Sequence, residues 1–217
     1  MNEIQRDRDL NIKTSGMYEL NEWNHNHYNR TESTSYSVLD QLFKEFSFKE
    51  NDHLIDFGSG KGRVLFYVHQ HAKIPVTGIE LSSTVFQLLK TNKQMYLNKF
   101  PSSKPIHLVN DFAEHYKISK HINVFYFFNP FSGTIFKKVL DNIIQSIEVY
   151  PRDITLIIYF PMPEYHAHLE MLGFFNLERK IEIQIEKNFT DEVLILTNNQ
   201  FRGVQNERRK IFKHFTR

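Results

Sequence analysis

The sequence predicts an α/β domain whose mostly parallel sheet carries an antiparallel edge. Three observations predict it. A short apolar run, His53-Leu54-Ile55, meets the turn Asp56-Phe-Gly-Ser-Gly-Lys-Gly-Arg63 and then a helix-like run from Val64 to His71. Strand-like and helix-like runs go on alternating as far as Leu172, giving five βα units. The alternation then stops: Phe175 to Glu186 and Glu192 to Thr197 are both β-rich, and Lys187–Asp191 between them is short enough for a hairpin connection. Parallel pairs need a crossover and antiparallel pairs only a turn, so this order means a parallel sheet closed by a reversed pair. With 217 residues, 41% of them apolar and including 20 Phe and 10 Tyr, the chain can form one domain burying roughly 70% of its unfolded surface.

Residues 1–33 are polar and weakly periodic, an extension with one helical turn expected around Met17 to Trp23. Ser33-Thr34-Ser35 offers side-chain oxygens to the first free N–H groups of a helix from about Tyr36 to Phe46. Val38, Leu39, Leu42, Phe43 and Phe46 share its apolar face. Strand Leu54–Phe57 leads to helix Gly62–His71. Strand Val76–Glu80 leads to helix Ser82–Asn98, capped by Ser82 or Ser83, with Val85, Leu88, Leu89 and Met95 inward. Strand Ile106–Asn110 precedes a short helix near Ala113–Tyr116. Val124–Phe128 precedes helix Ser132–Tyr150, and Ile154–Phe160 precedes helix Pro163–Leu172. The main domain is expected over 34–200, with 201–217 as a basic tail. Ligands of open parallel sheets sit at the C-terminal strand ends, so Asp56, Glu80, Asp111 and Asn129 are the residues to inspect.

The glycine turn decides among ligand classes. Glycine tolerates positive φ and lets backbone approach a ligand closely, and a helix N-terminus behind it offers bare N–H groups. A dinucleotide turn reads GxGxxG, but here Gly58, Gly60 and Gly62 bring the third glycine one residue early. Asp56 would also set a negative charge beside any phosphate; it suits a cation such as an α-amino group or a sulfonium. A phosphate-binding GxxxxGK[ST] loop would need glycine at 55 and Ser or Thr at 62, where the chain has Ile55 and Gly62. There is no cysteine, which excludes thiolate metal sites and Cys nucleophiles. None of the 11 histidines is in an HExxH spacing, and the pairs His25/His27, His69/His71 and His166/His168 do not share a helix face. No metal is expected.

Charge is unevenly placed. Of the 27 Lys and Arg, six lie in the tail (Arg202, Arg208, Arg209, Lys210, Lys213, Arg217) against one of the 25 acids, Glu207, so the rest carries 21 against 24. The tail can therefore touch phosphate, while the body is not that of a dedicated nucleic-acid binder. The N-terminus has no apolar h-region and no apolar run approaches a membrane span, so a cytoplasmic protein with no membrane contact is expected.

The chain resembles the class I S-adenosylmethionine-dependent methyltransferases over about residues 34 to 198. The matching pieces are Asp56-Phe-Gly-Ser-Gly-Lys-Gly, Glu80, Asn110-Asp111-Phe112-Ala113-Glu114 and Asn129-Pro130-Phe131. The resemblance implies a Rossmann-like seven-stranded mixed sheet of order 3-2-1-4-5-7-6, its last strand antiparallel, with helices on both faces. It implies S-adenosyl-L-methionine as cofactor. Gly58, Ser59, Gly60 and Gly62 would wall its methionyl part, and Asp56 would hold the amino end. Glu80 would accept from both ribose hydroxyls, and Leu81 would pack on the adenine. Asp111 would accept from the adenine amino group, and the Phe112 N–H would donate to a ring nitrogen. Tyr36, on the helix before the first strand, would lie beside the cofactor.

By the same resemblance Asn129 and Phe131 would hold the acceptor, with the Asn129 side-chain oxygen and a backbone carbonyl taking the two N–H bonds of a planar NH2. The pattern departs from the family's in having one proline instead of two and the aromatic third instead of fourth. The acceptor is then a nitrogen of protein lysine, RNA, DNA or a small amine. Two other classes compete: a nicotinamide-dependent oxidoreductase, which would need neither Asp56 nor Asp111, and a silent S-adenosylmethionine-binding module, in which Asn129 would be dispensable.

Overall fold

The computed structural model describes residues 2–16, 27–29, 32–186 and 189–198. Its seven strands are β1 (Leu54–Phe57), β2 (Val76–Ile79), β3 (Ile106–Val109), β4 (Val124–Phe128), β5 (Thr155–Tyr159), β6 (Asn176–Glu186) and β7 (Phe189–Thr197). They form one sheet in the order β3-β2-β1-β4-β5-β7-β6. All pairings are parallel except those of β7, which runs antiparallel to both β5 and β6. The expected order and the reversed last strand are both found. β7 begins three residues before the expected Glu192, which shortens the hairpin connection; Lys187 and Asn188 lie outside the described residues.

Among the described residues six helices accompany the sheet: α1 (Glu3–Asp9), α2 (Tyr36–Glu45), α3 (Arg63–Ala72), α4 (Ser83–Lys99), α5 (Gly133–Val149) and α6 (Pro163–Leu172), with a 3-10 turn at Ala113–His115. Side chains alternate across each strand, so each face of the sheet builds its own core. Leu54, Val124, Tyr126 and Ile157 join α2, α3 and α4 on one face. Ile55, Phe57, Phe125, Phe127, Leu156 and Ile158 join α5 and α6 on the other. Ser35 and Ser82 cap α2 and α4 by accepting from Val38 N and Val85 N.

Two differences bear on function. The ladders of β2, β3 and β5 stop one residue early, leaving Glu80, Asn110 and Phe160 just beyond the sheet at its C-terminal rim. The inward face of α4 is Val85, Leu89, Asn92 and Tyr96, not Leu88 and Met95. Asn92 turns inward because its carboxamide is occupied: it accepts from Lys13 N and donates to the carbonyls of Lys13 and Lys61.

Those bonds come from a segment the sequence made look unstructured. α1 is capped by Asn2, and the chain after it sends Leu10 and Ile12 into the core beside α2 and α3. Asp7, 3% exposed, accepts from the N–H and hydroxyl of both Thr14 and Ser15 and from the Tyr36 hydroxyl. The turn expected around Met17 to Trp23 and the basic tail lie outside the described residues.

Candidate active site

The glycine turn is built by three left-handed residues, Gly58 (φ 75°), Gly60 (φ 54°) and Gly62 (φ 91°). Shape excludes side chains at two of them. A Cβ on Gly58 would come within 2.6 Å of the Pro130 side chain, and one on Gly62 within 2.4 Å of Leu89. The closeness to Pro130 brings the turn after β1 against the Asn129-Pro130 corner after β4, though about 70 residues separate them in the chain.

The turn does not present the row of bare N–H groups expected of it. Gly58 N and Ser59 N donate to Ile79 O, Gly62 N donates to Ser59 O, and Gly60 N donates to Glu80 Oε2 at 2.9 Å. It offers a close-fitting surface more than a set of donors, which suits a cation better than a phosphate. Ser59 Oγ is buried with no partner.

Asp56 is the last residue but one of β1, just before this turn, and is 3% exposed. Among the described residues no hydrogen bond reaches its carboxyl, and burial, followed by the charge of Glu80, pushes its pKa up to about 8. A buried carboxyl with no donor is costly to ionise unless something positive meets it. Glu80, 6% exposed, is held from behind, Oε2 by Gly60 N and Oε1 by Ser82 N at 2.8 Å. Burial raises its pKa while those N–H groups work the other way. Two backbone donors leave part of the carboxylate's accepting capacity for further O–H groups.

The rim continues at β3. Asn110 ties it to β2 by donating to the carbonyls of Glu80 and Leu81 at 2.7 and 2.9 Å. Leu81 is half-buried beside it. Asp111 is partly exposed, but its Oδ1 accepts from Phe112 N at 2.7 Å, the N–H expected for a ring nitrogen. That donor is engaged within the chain.

Beyond β4, Asn129 adopts φ 38°, a left-handed conformation in which Asn is tolerated and most side chains are strained. Its side-chain oxygen and its own carbonyl both accept from Asn29 Nδ2, at 3.0 and 2.8 Å. The residues around Asn29 pair with this corner in turn: Asn29 N donates to Pro130 O, Ser132 N donates to His27 O, and Tyr28 bridges Phe131.

Two expected site residues are elsewhere. Phe131 is 1% exposed, edge-on to Tyr28 and Phe127, with its carbonyl taken by the Tyr165 hydroxyl, so its ring cannot lie on an acceptor. Tyr36 is also 1% exposed; its hydroxyl donates to Asp7 and its ring lies under the Arg6 and Arg63 guanidinium groups. It supports the start of α3 and does not reach the rim. Arg63, against the dipole preference in the first turn of α3, is balanced there by Glu3 and Asp7.

Sequence reading missed Asn29, Tyr28 and Phe160. Phe160 follows β5 beside Asn129, 37% exposed, with φ 54°, an outlier for a bulky side chain. Only the Asn-rich string around Asn29 carried a signal, and it was a weak one. No group of three His, Asp or Glu able to hold a metal ion occurs among the described residues, nor does any helix there long and apolar enough to cross a membrane.

An RNA methyltransferase from Salinibacter ruber in complex with S-adenosyl-L-homocysteine superposes at a TM-score of 0.58 with 15% identity, over 78% of this chain and 95% of that one. The two chains share their fold. M. capricolum TrmK, in complex with S-adenosyl-homocysteine, shares the fold at a TM-score of 0.53 and 14% identity, over 75% and 68% of the two chains. TrmN from Thermus thermophilus shares it at 0.55 and 15%, over 75% and 48%. No protein-family model matches the chain. A curated relative, an rRNA adenine N-6-methyltransferase of Escherichia coli, is 31% identical over 99 residues, 41% of this chain and 40% of that protein. The chain thus spans well under half of that relative's length.

Proposed function

We propose that the chain is an S-adenosylmethionine-dependent methyltransferase acting on an amino nitrogen of nucleic acid, with RNA as the first acceptor to test. One observation carries the cofactor reading: Asp56, a buried carboxyl with no donor of its own, beneath a glycine turn whose amides are already used. A cationic amino group or sulfonium supplies the missing partner. Glu80, held from behind by two backbone N–H groups, would accept from two ribose hydroxyls, and a charged acceptor of that kind makes strong polar contacts. Leu81, Ser59, Asp111 and Phe112 complete the cofactor wall, with Asp111 free to take a second donor.

S-adenosylmethionine, when bound, supplies a methyl on a sulfonium, a leaving group that needs no metal. The chain's task is then positioning. Asn129 offers two acceptors at one corner, and a planar NH2 that satisfies both has its faces directed away from them. The choice of RNA follows the curated relative and the RNA methyltransferases of like fold; a lysine ammonium, tetrahedral and charged, matches two coplanar acceptors less well. We place the catalytic unit at 34–200 together with the N-terminal segment that carries Leu10, Ile12 and Asn29, in a cytoplasmic setting where RNA is present.

Calorimetric titration of the whole chain with S-adenosylmethionine and with NAD tests the first half. Binding of NAD and not of S-adenosylmethionine would make the chain an oxidoreductase. Transfer of labelled methyl to RNA, protein and small-molecule fractions tests the second, and label appearing only in protein would overturn the acceptor. A chain that binds the cofactor and labels no fraction is a silent module.

A further inference from the structure

The two acceptors of Asn129 already hold a planar NH2. Asn29 Nδ2 donates at 2.8 Å to the Asn129 carbonyl and at 3.0 Å to its Oδ1. A carboxamide nitrogen is flat, neutral and carries two hydrogens, the same description as an exocyclic amino group of a nucleobase. The placement is held by more than this pair. Asn29 N donates to Pro130 O at 3.0 Å, Ser132 N to His27 O at 2.8 Å, and His27 Nδ1 lies 3.1 Å from Ser132 Oγ. Tyr28 anchors the middle: its hydroxyl donates to Glu114 and accepts from Ala113 N, and its ring stands edge-on to Phe112 and Phe131. Residues 27–29 therefore span from the turn after β3 to the corner after β4.

We propose that His27–Asn29 is a built-in competitor for the acceptor site, with the Asn29 carboxamide standing where the methyl-accepting NH2 belongs. The proposal rests on the reading of Asn129 as the acceptor-holding residue. Asn29 is exposed, whereas Tyr28 is half-buried and packs against the core that holds Phe131, so Tyr28 keeps its place while an acceptor has to displace only the Asn29 carboxamide. An acceptor displaces it by offering Asn129 the same two N–H bonds. Groups that cannot offer them leave the strap in place, which makes the strap a filter as well as a competitor.

The test compares the full chain with Asn29→Ala and Asn29→Asp. Alanine removes the carboxamide, and aspartate turns an oxygen toward two oxygens. Hydrogen exchange at residue 29 and at Ser132 needs no acceptor: both variants should exchange faster there while the glycine turn is unchanged. With labelled S-adenosylmethionine and total cellular RNA, KM for RNA should fall about tenfold in both variants, the size of one to two net hydrogen bonds, with kcat at saturation and cofactor affinity unchanged. Unchanged exchange overturns the proposal, because Asn29 then holds nothing. A higher KM or a lower kcat also overturns it, because Asn29 would then be helping to bind the acceptor. No transfer to RNA by any of the three proteins overturns the reading of the acceptor on which the proposal stands, and is told apart from the other failures by the absence of turnover in the parent.

Discussion

Asp56 carries a pH signature that follows from its isolation. Its pKa is held up to about 8 by burial and by Glu80, well above the 3.8 of a free carboxyl. The native state thus keeps a proton that the unfolded chain releases, and stability of the free protein falls as pH rises from about 4 toward 8. Replacing Asp56 by Asn removes that fall, so Asp56→Asn should melt higher than the parent at alkaline pH. Cofactor binding has the opposite demand, since a cation wants the carboxylate. Titration near neutral pH should therefore release protons, read as a heat that varies with the buffer's ionisation enthalpy, and affinity should rise from about pH 6 to pH 8. In Asp56→Asn the linkage disappears and affinity drops about ten- to a hundredfold, the loss of one charged acceptor. Constant affinity across that range in the parent would show that Asp56 does not meet the cation. Asn129 calls for a different substitution. With φ at 38°, alanine would add strain, whereas glycine accepts the backbone as it stands. Asn129→Gly should keep the melting temperature and the cofactor affinity and slow methyl transfer about a hundredfold, the scale of a misplaced reacting group. A matching loss of cofactor affinity would move Asn129 into the cofactor wall.

At the level of elements, most helices and strands were legible because each buries one apolar stripe or alternates across the sheet. α1 was not, and its composition explains the miss. Six of its seven residues in Glu-Ile-Gln-Arg-Asp-Arg-Asp are polar, so no stripe marks it. Its place is fixed by charge: Arg6 on Asp40, Glu3 and Asp7 on Arg63. These partners are distant in sequence, and local periodicity cannot reveal them. The consequence reaches the site, since Arg63 opens α3 directly behind the glycine turn and Lys61 in the turn donates to the carbonyls of Ser15 and Gly16. Asp7→Asn should destabilise the protein by about 3 kcal/mol, because it leaves a buried guanidinium short of a partner, and should loosen the turn. The wild type has a matching acid limb. Hydrogen bonds from Thr14, Tyr36 and Ser15 outweigh burial and hold the Asp7 pKa below its ordinary 3.8, so its contribution is whole above that value and fades as pH falls below it. In Asp7→Asn the melting temperature should be lower at neutral pH and less sensitive to acid. If the two proteins melt alike, the bonds made by α1 contribute nothing to the fold.

For the molecule as a whole, the residues proposed for the cofactor were easier to pick out in the sequence than those around Asn129, for one physical reason. Asp56 lies near the C-terminal end of β1, and Glu80 and Asp111 just past β2 and β3, so the βα order alone lines them up at the rim. What surrounds Asn129 comes from remote chain: Asn29 from near the N-terminus and Phe160 from the end of the neighbouring strand β5. Neither belongs to a local pattern. Phe131 misled because an aromatic after proline fits a stacking role as well as a core role, and burial decides between them. The tail at 201–217 lies outside the described residues, and the proposal that it touches phosphate rests on charge alone. Deleting it removes six basic residues and one acid, a net +5. If RNA is the acceptor, each phosphate that the shortened chain can no longer neutralise flattens the slope of log affinity against log salt by roughly 0.7 on single strands or 0.9 on a duplex. Turnover on RNA should then fall at moderate salt, while cofactor binding and exchange at Ser132 stay as they were, because neither involves phosphate. The salt series also separates the tail from the strap: removing the Asn29 carboxamide shifts RNA affinity equally at every salt, whereas removing the tail changes the slope. A truncated chain with the parent's slope would place all phosphate binding on the body, and the 21 basic residues there would become the ones to scan.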